Sequence, residues 1–229
     1  MNFYFLVEGK KTEPQIYPKW LKHLTPFLSQ VNFADEATIN NYYVISGKGS
    51  PRILNVELSN AVLEINALGN YDYLVLVIDA DDMSEQEKIA EIQQFIADNN
   101  IALNSNCQLH IVAQKCCIET WFLGNTIVYS RNASPDFIKH SQFYDVSKQD
   151  PELMLKPNEF NESVSIYHEC YLRAMLKERT INYSKQKPND VGESHYLEQL
   201  QKRVSETNHL SSLRNFFSFF ETISAHNPS

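Results

Sequence analysis

Short runs of apolar residues punctuate the first 125 residues of the chain. Four of them have the length of a strand: FYFLV at 3–7, NYYVI at 41–45, YLVLVI at 73–78 and QLHIVA at 108–113. Strands that are apolar on both faces are typical of parallel sheets, because helices cover both faces of such sheets. We therefore expect the runs at 3–7 and 73–78 to be fully buried strands.

Apolar residues with helical spacing fill the segments between these runs. The first predicted helix follows Gly9, and Pro18 predicts that this helix starts late or kinks. A second helix begins at Pro51, and a third follows the capping box SEQE at 84–87. A short helix near 118–123 comes after the last run. Strands that alternate with helices predict an α/β fold with a doubly wound parallel sheet.

The second half of the chain has a different pattern. Residues 126–160 contain three prolines and predict a loop, whereas 161–178 and 195–222 predict helices. A polar segment, YSKQKPND, joins the two predicted helices. We therefore divide the chain into an α/β core at 1–125 and a mainly helical C-terminal region at 126–229, packed on the core.

Acidic residues end two of the predicted strands. Glu8 follows the first run, and Asp79 and Asp81 follow the third. In an open parallel sheet, ligands bind at the carboxyl ends of the strands. Like charges held there repel one another, and a divalent metal bound by carboxylate oxygens is the simplest way to satisfy them. If the third strand continues, Asp79 and Asp81 point the same way, which favours them over Asp82.

Each candidate residue also has an ordinary structural interpretation. Glu8 could cap the helix that follows it, and an Asp-rich turn is common on protein surfaces. Glu119, which lies among apolar residues after the fourth run, is either a first-turn helix acid or a further metal ligand. Glu13 is either a solvated helix start or a ligand from the first helical turn. Lys185 is either solvated surface or a cation that stabilises negative charge on a phosphate.

Three other segments carry weaker or incomplete motifs. SGKGS at 46–50 resembles a phosphate-binding loop, but it lacks the P-loop pattern, and a plain turn is the more ordinary interpretation. His168 and Glu169 do not form the zinc motif H-E-x-x-H, because residue 172 is leucine. The phenylalanines of FFSFF at 216–220 predict a helix face packed against the body, rather than a surface for base stacking.

Composition narrows the class of protein. The chain has 229 residues, 43% hydrophobic content, a net charge of −8 and a pI of about 5.4. This length suits one domain, or one domain with a smaller appendage. The negative charge argues against a basic, histone-like binder of nucleic acids. It does not argue against a nucleic-acid enzyme, because bound metals supply positive charge.

Cysteine usage and hydropathy indicate the compartment. Cys107, Cys116, Cys117 and Cys170 form no CxxC pair, and the adjacent Cys116 and Cys117 are poorly placed to bridge each other. This usage predicts a protein of the reducing cytoplasm. No stretch approaches the ~20 apolar residues of a membrane helix, so we expect no association with a membrane.

The acids and their surroundings resemble a known family. A glutamate that closes one strand and a D-x-D motif that closes another resemble a TOPRIM domain, the fold of topoisomerases, bacterial primases and overcoming-lysogenization-defect (OLD) nucleases. The segments VEGKKTEPQIY, VIDADD, CIETWFL and a C-terminal YSK…HLSSL resemble the RloB-like family of small TOPRIM proteins. This resemblance spans residue 3 to about residue 215.

The resemblance implies a metal-dependent nuclease that hydrolyses phosphodiester bonds in DNA or RNA, including tRNA. The implied cofactor is Mg²⁺, with Mn²⁺ as a substitute. The implied metal ligands are Glu8, Glu13, Asp79, Asp81 and Glu119. The implied catalytic residues are four of these acids, without Glu13, together with Lys185, which corresponds to a late basic residue of the OLD-type nucleases.

The resemblance also implies a partner. OLD nucleases carry an ABC-type ATPase ahead of the TOPRIM domain, whereas here the TOPRIM strand begins at residue 3. Related small TOPRIM effectors of bacterial anti-phage systems work beside a separate ATPase. We therefore expect a defence effector that takes a nucleic acid as substrate and acts with an ABC-type ATPase in trans.

Two alternatives stay open. A non-catalytic module would bind a regulatory ion through its acids and dock a partner through its helices, and its acids would not converge in space. A receiver-type phosphoacceptor domain would use Asp79 as acceptor, with Lys115 nearby. The second alternative is weaker, because receivers carry an acid pair on the first strand, where only Glu8 stands.

Overall fold

The computed structural model describes residues 1–225 and contains a five-stranded sheet. Its neighbouring strands are all parallel, in the order β2-β3-β1-β4-β5. The strands are β1 (Asn2–Val7), β2 (Ser29–Gln30), β3 (Asn41–Ser46), β4 (Tyr73–Asp79) and β5 (Gln108–Gln114). Four of them match the predicted strands, and β2, a two-residue edge strand, has no predicted counterpart. The α/β class and the parallel sheet are confirmed.

Helices flank this sheet. Within the described residues they are α1 (Glu13–Leu24), α2 (Leu58–Leu68), α3 (Glu85–Asp98), α4 (Ile118–Phe122), α5 (Pro135–Phe143), α6 (Val164–Lys177), α7 (Ser194–Glu206) and α8 (Ser211–Ala225). A π-helical segment, Ile53–Glu57, leads directly into α2. Within residues 1–225, no helix has the length and apolar character that crossing a membrane requires.

Alternate side chains of the central strands divide the core into two layers. In β1, Phe3, Phe5 and Val7 belong to the layer covered by α1 and the C-terminal helices. Tyr4 and Leu6 belong to the opposite layer, under α2 and α3. All five side chains are buried. Helices therefore cover both faces of the sheet, the arrangement of a doubly wound fold, and this explains the unbroken apolar run of β1.

An aromatic cluster holds the C-terminal helices against the sheet. Phe216 of α8 packs against Trp121 and Trp20, with ring centroids 5.6 and 6.2 Å away, and the two indoles stack on each other. Phe220 stacks on Phe5 of β1 at 6.1 Å. The phenylalanine face of α8 thus packs against the body, as predicted.

The structure excludes a late start for α1, which was one of its two predicted alternatives, and it contradicts the predicted central loop. α1 begins at Glu13 with Pro18 inside it, so the helix does not start late. Burial of Ile16 and Trp20 on its inner face offsets the hydrogen bond that the proline nitrogen cannot donate. The predicted loop at 126–160 contains α5, whose first residue is a proline that needs no hydrogen-bond partner there.

The prediction of a single helix at 195–222 is also wrong, because the segment forms two helices, α7 and α8. α7 ends where Thr207 adopts an extended conformation, and Leu210 has a φ of +56°. The side chain of Arg214 donates to the carbonyl of Thr207, and Leu210 N donates to Asp150 Oδ1. These tertiary hydrogen bonds provide partners for backbone groups of the turn between the two helices. The helical periodicity of the sequence gives no sign of them.

Candidate metal centre

Glu8 lies at the carboxyl end of β1, beside the end of β4. Its Oε2 accepts a hydrogen bond from Asp79 N at 3.0 Å, and its Oε1 accepts one from Ser50 N at 3.1 Å. Burial raises the pKa of Glu8, although these two backbone donors oppose the rise. Glu8 therefore joins the ends of β1 and β4 to the loop after β3, rather than capping a helix.

Asp79 is the last residue of β4, and one of its carboxylate oxygens gives the strongest evidence for a bound ligand at this site. Its Oδ1 is buried and has no hydrogen-bond partner among the described residues. Burial, and then the charges of Glu13 and Glu8, raise the pKa of Asp79 well above its ordinary value. Gln114, its register partner on β5, also carries a buried oxygen, Oε1, for which the described residues provide no hydrogen-bond partner. A cation or a proton is what these orphaned acceptors lack.

Glu13 folds back from the first turn of α1 onto the turn after β1. A Cβ on Gly9 would lie 1.6 Å from Glu13 Oε2, so the carboxylate occupies the space that any side chain at position 9 would need. Glu13 is 4% exposed. Burial, together with repulsion from Glu119 and Glu8, raises its pKa to about 7. The interpretation of Glu13 as a solvated helix start is therefore wrong.

Glu119 enters the same region from α4 and is 1% exposed. Tyr183 donates its phenolic hydrogen to Glu119 Oε1 at 2.8 Å, and Lys185 Nζ lies 3.6 Å from the same oxygen. The charge of Glu119 raises the pKa of both Glu13 and Asp79. Carboxylates from β1, β4, α1 and α4 thus act on one another at one end of the sheet.

Lys185 supplies a positive charge at the edge of this group. Besides Glu119, it lies 3.5 Å from Oε2 of Glu169, a residue of α6 that sequence reasoning considered only as part of a zinc motif. Partial burial lowers the pKa of Lys185, but the two carboxylates outweigh it and raise the pKa overall. Thr12, beside α1, donates to the carbonyl of Lys185 at 3.1 Å and so fixes this segment over the acids.

Asp81 is placed differently from the prediction. The strand ends at Asp79, and Asp81 has a φ of +49° and donates its backbone N–H to the carbonyl of Cys116. The assumption that the strand continues is wrong, because this bridge turns the chain away from the sheet. Asp81 is exposed, although its charge still raises the pKa of Glu8. It lies at the solvent side of the group.

The SGKGS loop lies against Glu8. Gly49, with a φ of +88°, donates its N–H to the carbonyl of Glu8 at 2.9 Å, and glycine adopts this conformation without strain. Lys48 pairs with Glu57 at 3.1 Å, and Arg52 pairs with the same carboxylate. The loop thus positions Glu8, while its lysine is already paired.

A large cavity lies elsewhere on the molecule. It has a volume of about 1140 Å³ and is lined by residues of 126–148 and of α7. Two of its cations, Lys148 and Lys202, pair with acids of the same surface, and the Arg203 guanidinium donates to carbonyls. No lining residue of this cavity has a buried side-chain atom without a hydrogen-bond partner among the described residues, whereas the strand ends have two, so we place the functional site at the strand ends.

Comparison of the chain with protein-family models, with curated protein sequences and with solved structures finds no match.

Proposed function

We propose that this protein is a Mg²⁺-dependent nuclease of TOPRIM type that hydrolyses phosphodiester bonds in DNA or RNA. The observation that carries the proposal is the orphaned Asp79 Oδ1, buried beside Glu8, Glu13 and Glu119. Four mutually repelling carboxylates destabilise a fold unless a cation or protons compensate them. Two of them, Glu8 and Asp79, lie at the carboxyl ends of neighbouring parallel strands, and this position favours a binding role.

The donor set fits Mg²⁺ or Mn²⁺, because it consists of hard oxygen atoms. Asp79 and Glu8 would hold the ion from the strand ends, and Glu13 and Glu119 would hold it from the helices. Asp81 would contact it from the solvent side. A divalent ion held by these residues would supply the Lewis acidity that phosphodiester hydrolysis needs, both to activate a water and to stabilise charge on the leaving oxygen.

The chain's own residues would bind and orient the substrate. The ammonium group of Lys185 is half-exposed beside Glu119, where a phosphate oxygen could exchange with the carboxylate as its partner. Tyr183 and Thr12 hold this lysine segment in place. Without a compensating cation, the acids repel phosphate, so substrate binding would depend on the metal.

The cellular role follows from the resemblance of VEGKKTEPQIY and VIDADD to small TOPRIM proteins. On that basis we propose a cytoplasmic effector of bacterial anti-phage defence that acts with a separate ABC-type ATPase. The order of the acids supports the TOPRIM type: a glutamate closes β1, and the D-x-D motif begins at the end of the neighbouring β4.

A cleavage assay tests the proposal. The purified chain, with and without an ABC-type ATPase from its genomic neighbourhood, would be incubated with plasmid, single-stranded DNA and total tRNA in Mg²⁺, Mn²⁺ or EDTA. We expect divalent-dependent cleavage that Glu8→Gln and Asp79→Asn abolish, and that Glu162→Gln, at an exposed site, leaves intact.

A thermal melt with Mg²⁺ separates the alternatives. A metal-dependent rise in Tm that Asp79→Asn removes, without cleavage under any condition, would replace the nuclease with a non-catalytic ion-binding module. Equal rises in the wild type and in Asp79→Asn would overturn the metal assignment itself.

A further inference from the structure

A second group of metal-binding side chains lies behind the carboxylates. It consists of Cys116 and Cys117, in the turn between β5 and α4, and His168 of α6. Their Sγ and imidazole nitrogen atoms all lie within 4.8 Å of one another. All three residues are buried, at 3%, 1% and 0% exposure. Two thiols and an imidazole converge although their segments are about 50 residues apart in sequence.

The imidazole is oriented as in metal sites. His168 Nε2 lies 3.0 Å from the carbonyl oxygen of Met154, which can only accept a hydrogen, so Nδ1 is the acceptor nitrogen of the neutral tautomer. Thr120 Oγ1 lies 2.7 Å from Nδ1 and 3.6 Å from Cys117 Sγ, so its hydroxyl occupies the space among the donors. Cys117 Sγ also lies 3.9 Å from the carbonyl of Ser165. A carbonyl partner on the far nitrogen of the ring is the usual support for a histidine ligand.

We propose that Cys116, Cys117 and His168 bind one Zn²⁺ ion. Two thiolates and a neutral imidazole are a donor set that zinc prefers over Mg²⁺. On binding, the two thiol protons leave to solvent and two S–Zn bonds and one N–Zn bond form, so no redox change is needed. The resulting centre is neutral overall, which suits its burial. The Thr120 hydroxyl, or a water in its place, completes four-fold coordination.

This zinc centre would hold in place two segments that carry residues of the carboxylate site. It ties the β5–α4 turn to α6, and both carry residues of that site: Glu119 follows Cys117 by two positions, and Glu169 follows His168 directly. The carbonyl of Cys116 accepts the backbone N–H of Asp81. The hard oxygen donors of the carboxylate site and the soft sulfur donors of the cysteines thus form separate groups. We infer that Mg²⁺ or Mn²⁺ binds to the first group, as in the proposed function, and Zn²⁺ to the second.

Metal analysis of the full chain tests this proposal, independently of nuclease activity. Protein stripped with a chelator and reloaded with Zn²⁺ should retain about one equivalent per chain. Loading with Co²⁺ should produce thiolate-to-cobalt charge-transfer absorption and the visible bands of a tetrahedral site. Both signatures should disappear in His168→Gln and in the double variant Cys116→Ser/Cys117→Ser.

Two variants serve as matched controls. Cys170→Ser changes a cysteine of the same helix as His168 that lies outside the cluster, and it should leave zinc binding unchanged. Asp79→Asn should also leave it unchanged, which separates this site from the carboxylates.

Three outcomes would overturn the proposal. The first is wild-type protein that retains no zinc. The second is a Co²⁺ spectrum without thiolate charge transfer. The third is a disulfide between Cys116 and Cys117 that makes both unreactive towards thiol reagents until reduced. If the variants fold poorly, zinc protection of the wild-type thiols from alkylation gives the same test, and unprotected thiols would refute the site.

Discussion

Replacing Glu13 with glutamine removes one of the four carboxyl groups that face one another at the sheet end, while keeping almost the same shape. The pKa of Glu13 rises from an ordinary 4.5 to about 7 in the folded protein, because the group is buried and lies near Glu119. At about 1.4 kcal/mol for each tenfold change in the ionisation constant, this difference corresponds to about 3 kcal/mol.

The sign of the effect follows from proton linkage. Between pH 4.5 and about 7, the unfolded chain has released the Glu13 proton and the folded chain has kept it, so raising the pH favours unfolding. Below this window the group is protonated in both states and contributes nothing. Above it, the ionised Glu13 opposes folding by the full amount. Glutamine does not titrate, so the Glu13→Gln variant escapes this loss.

The assay is urea denaturation of wild type and variant in EDTA, at several values between about pH 5 and pH 8. We expect the variant to gain about 3 kcal/mol over the wild type across this range, or roughly 6–12 °C in Tm. Glu162→Gln, at an exposed position, should give no such trend. A stability difference that stays flat with pH would refute the raised pKa of the buried Glu13 carboxyl group.

Other substitutions test neighbouring parts of the molecule. Gly9→Ala should keep the fold but displace the flexible Glu13 carboxylate, at a cost of about 1–3 kcal/mol in the free energy of unfolding. The displaced carboxylate should also weaken the Mg²⁺-dependent rise in Tm. An unchanged rise would contradict the close approach of Glu13 to Gly9. Lys185→Met should cost about 1 kcal/mol without metal, because the ammonium is half-exposed, and Mg²⁺ should stabilise the variant more than the wild type in a thermal melt. Phe216→Ala should cost about 3–5 kcal/mol in urea denaturation, and half-buried Phe219→Ala clearly less; equal losses would contradict the packing of α8.

The parts of the fold that sequence reasoning predicts are those set by local pattern. The strands at 3–7 and 73–78 are recognisable because burial on both faces requires an unbroken apolar run. Glu8 and Asp79 follow from the same pattern, since parallel strands end at one edge of the sheet. The break between α7 and α8 does not follow, because Arg214 and Asp150 supply its hydrogen bonds through tertiary contacts.

The rest of the site depends on contacts between distant segments, which explains what the sequence could not disclose. Glu169 joins the acids only because the segment carrying Lys185 lies across them, and His168 meets Cys116 only because α6 packs on α4. In a continuous strand, Asp79 and Asp81 would point to the same face, but the chain turns at Asp81, which has a positive φ, so this expectation does not hold. Each of these cases involves a polar group whose partner lies on another element. The Asp79 Oδ1 atom differs, because it is a buried carboxylate oxygen with no hydrogen-bond partner among the described residues, and it lies among other acids; for that reason it is the strongest indication of a ligand at the carboxylate site.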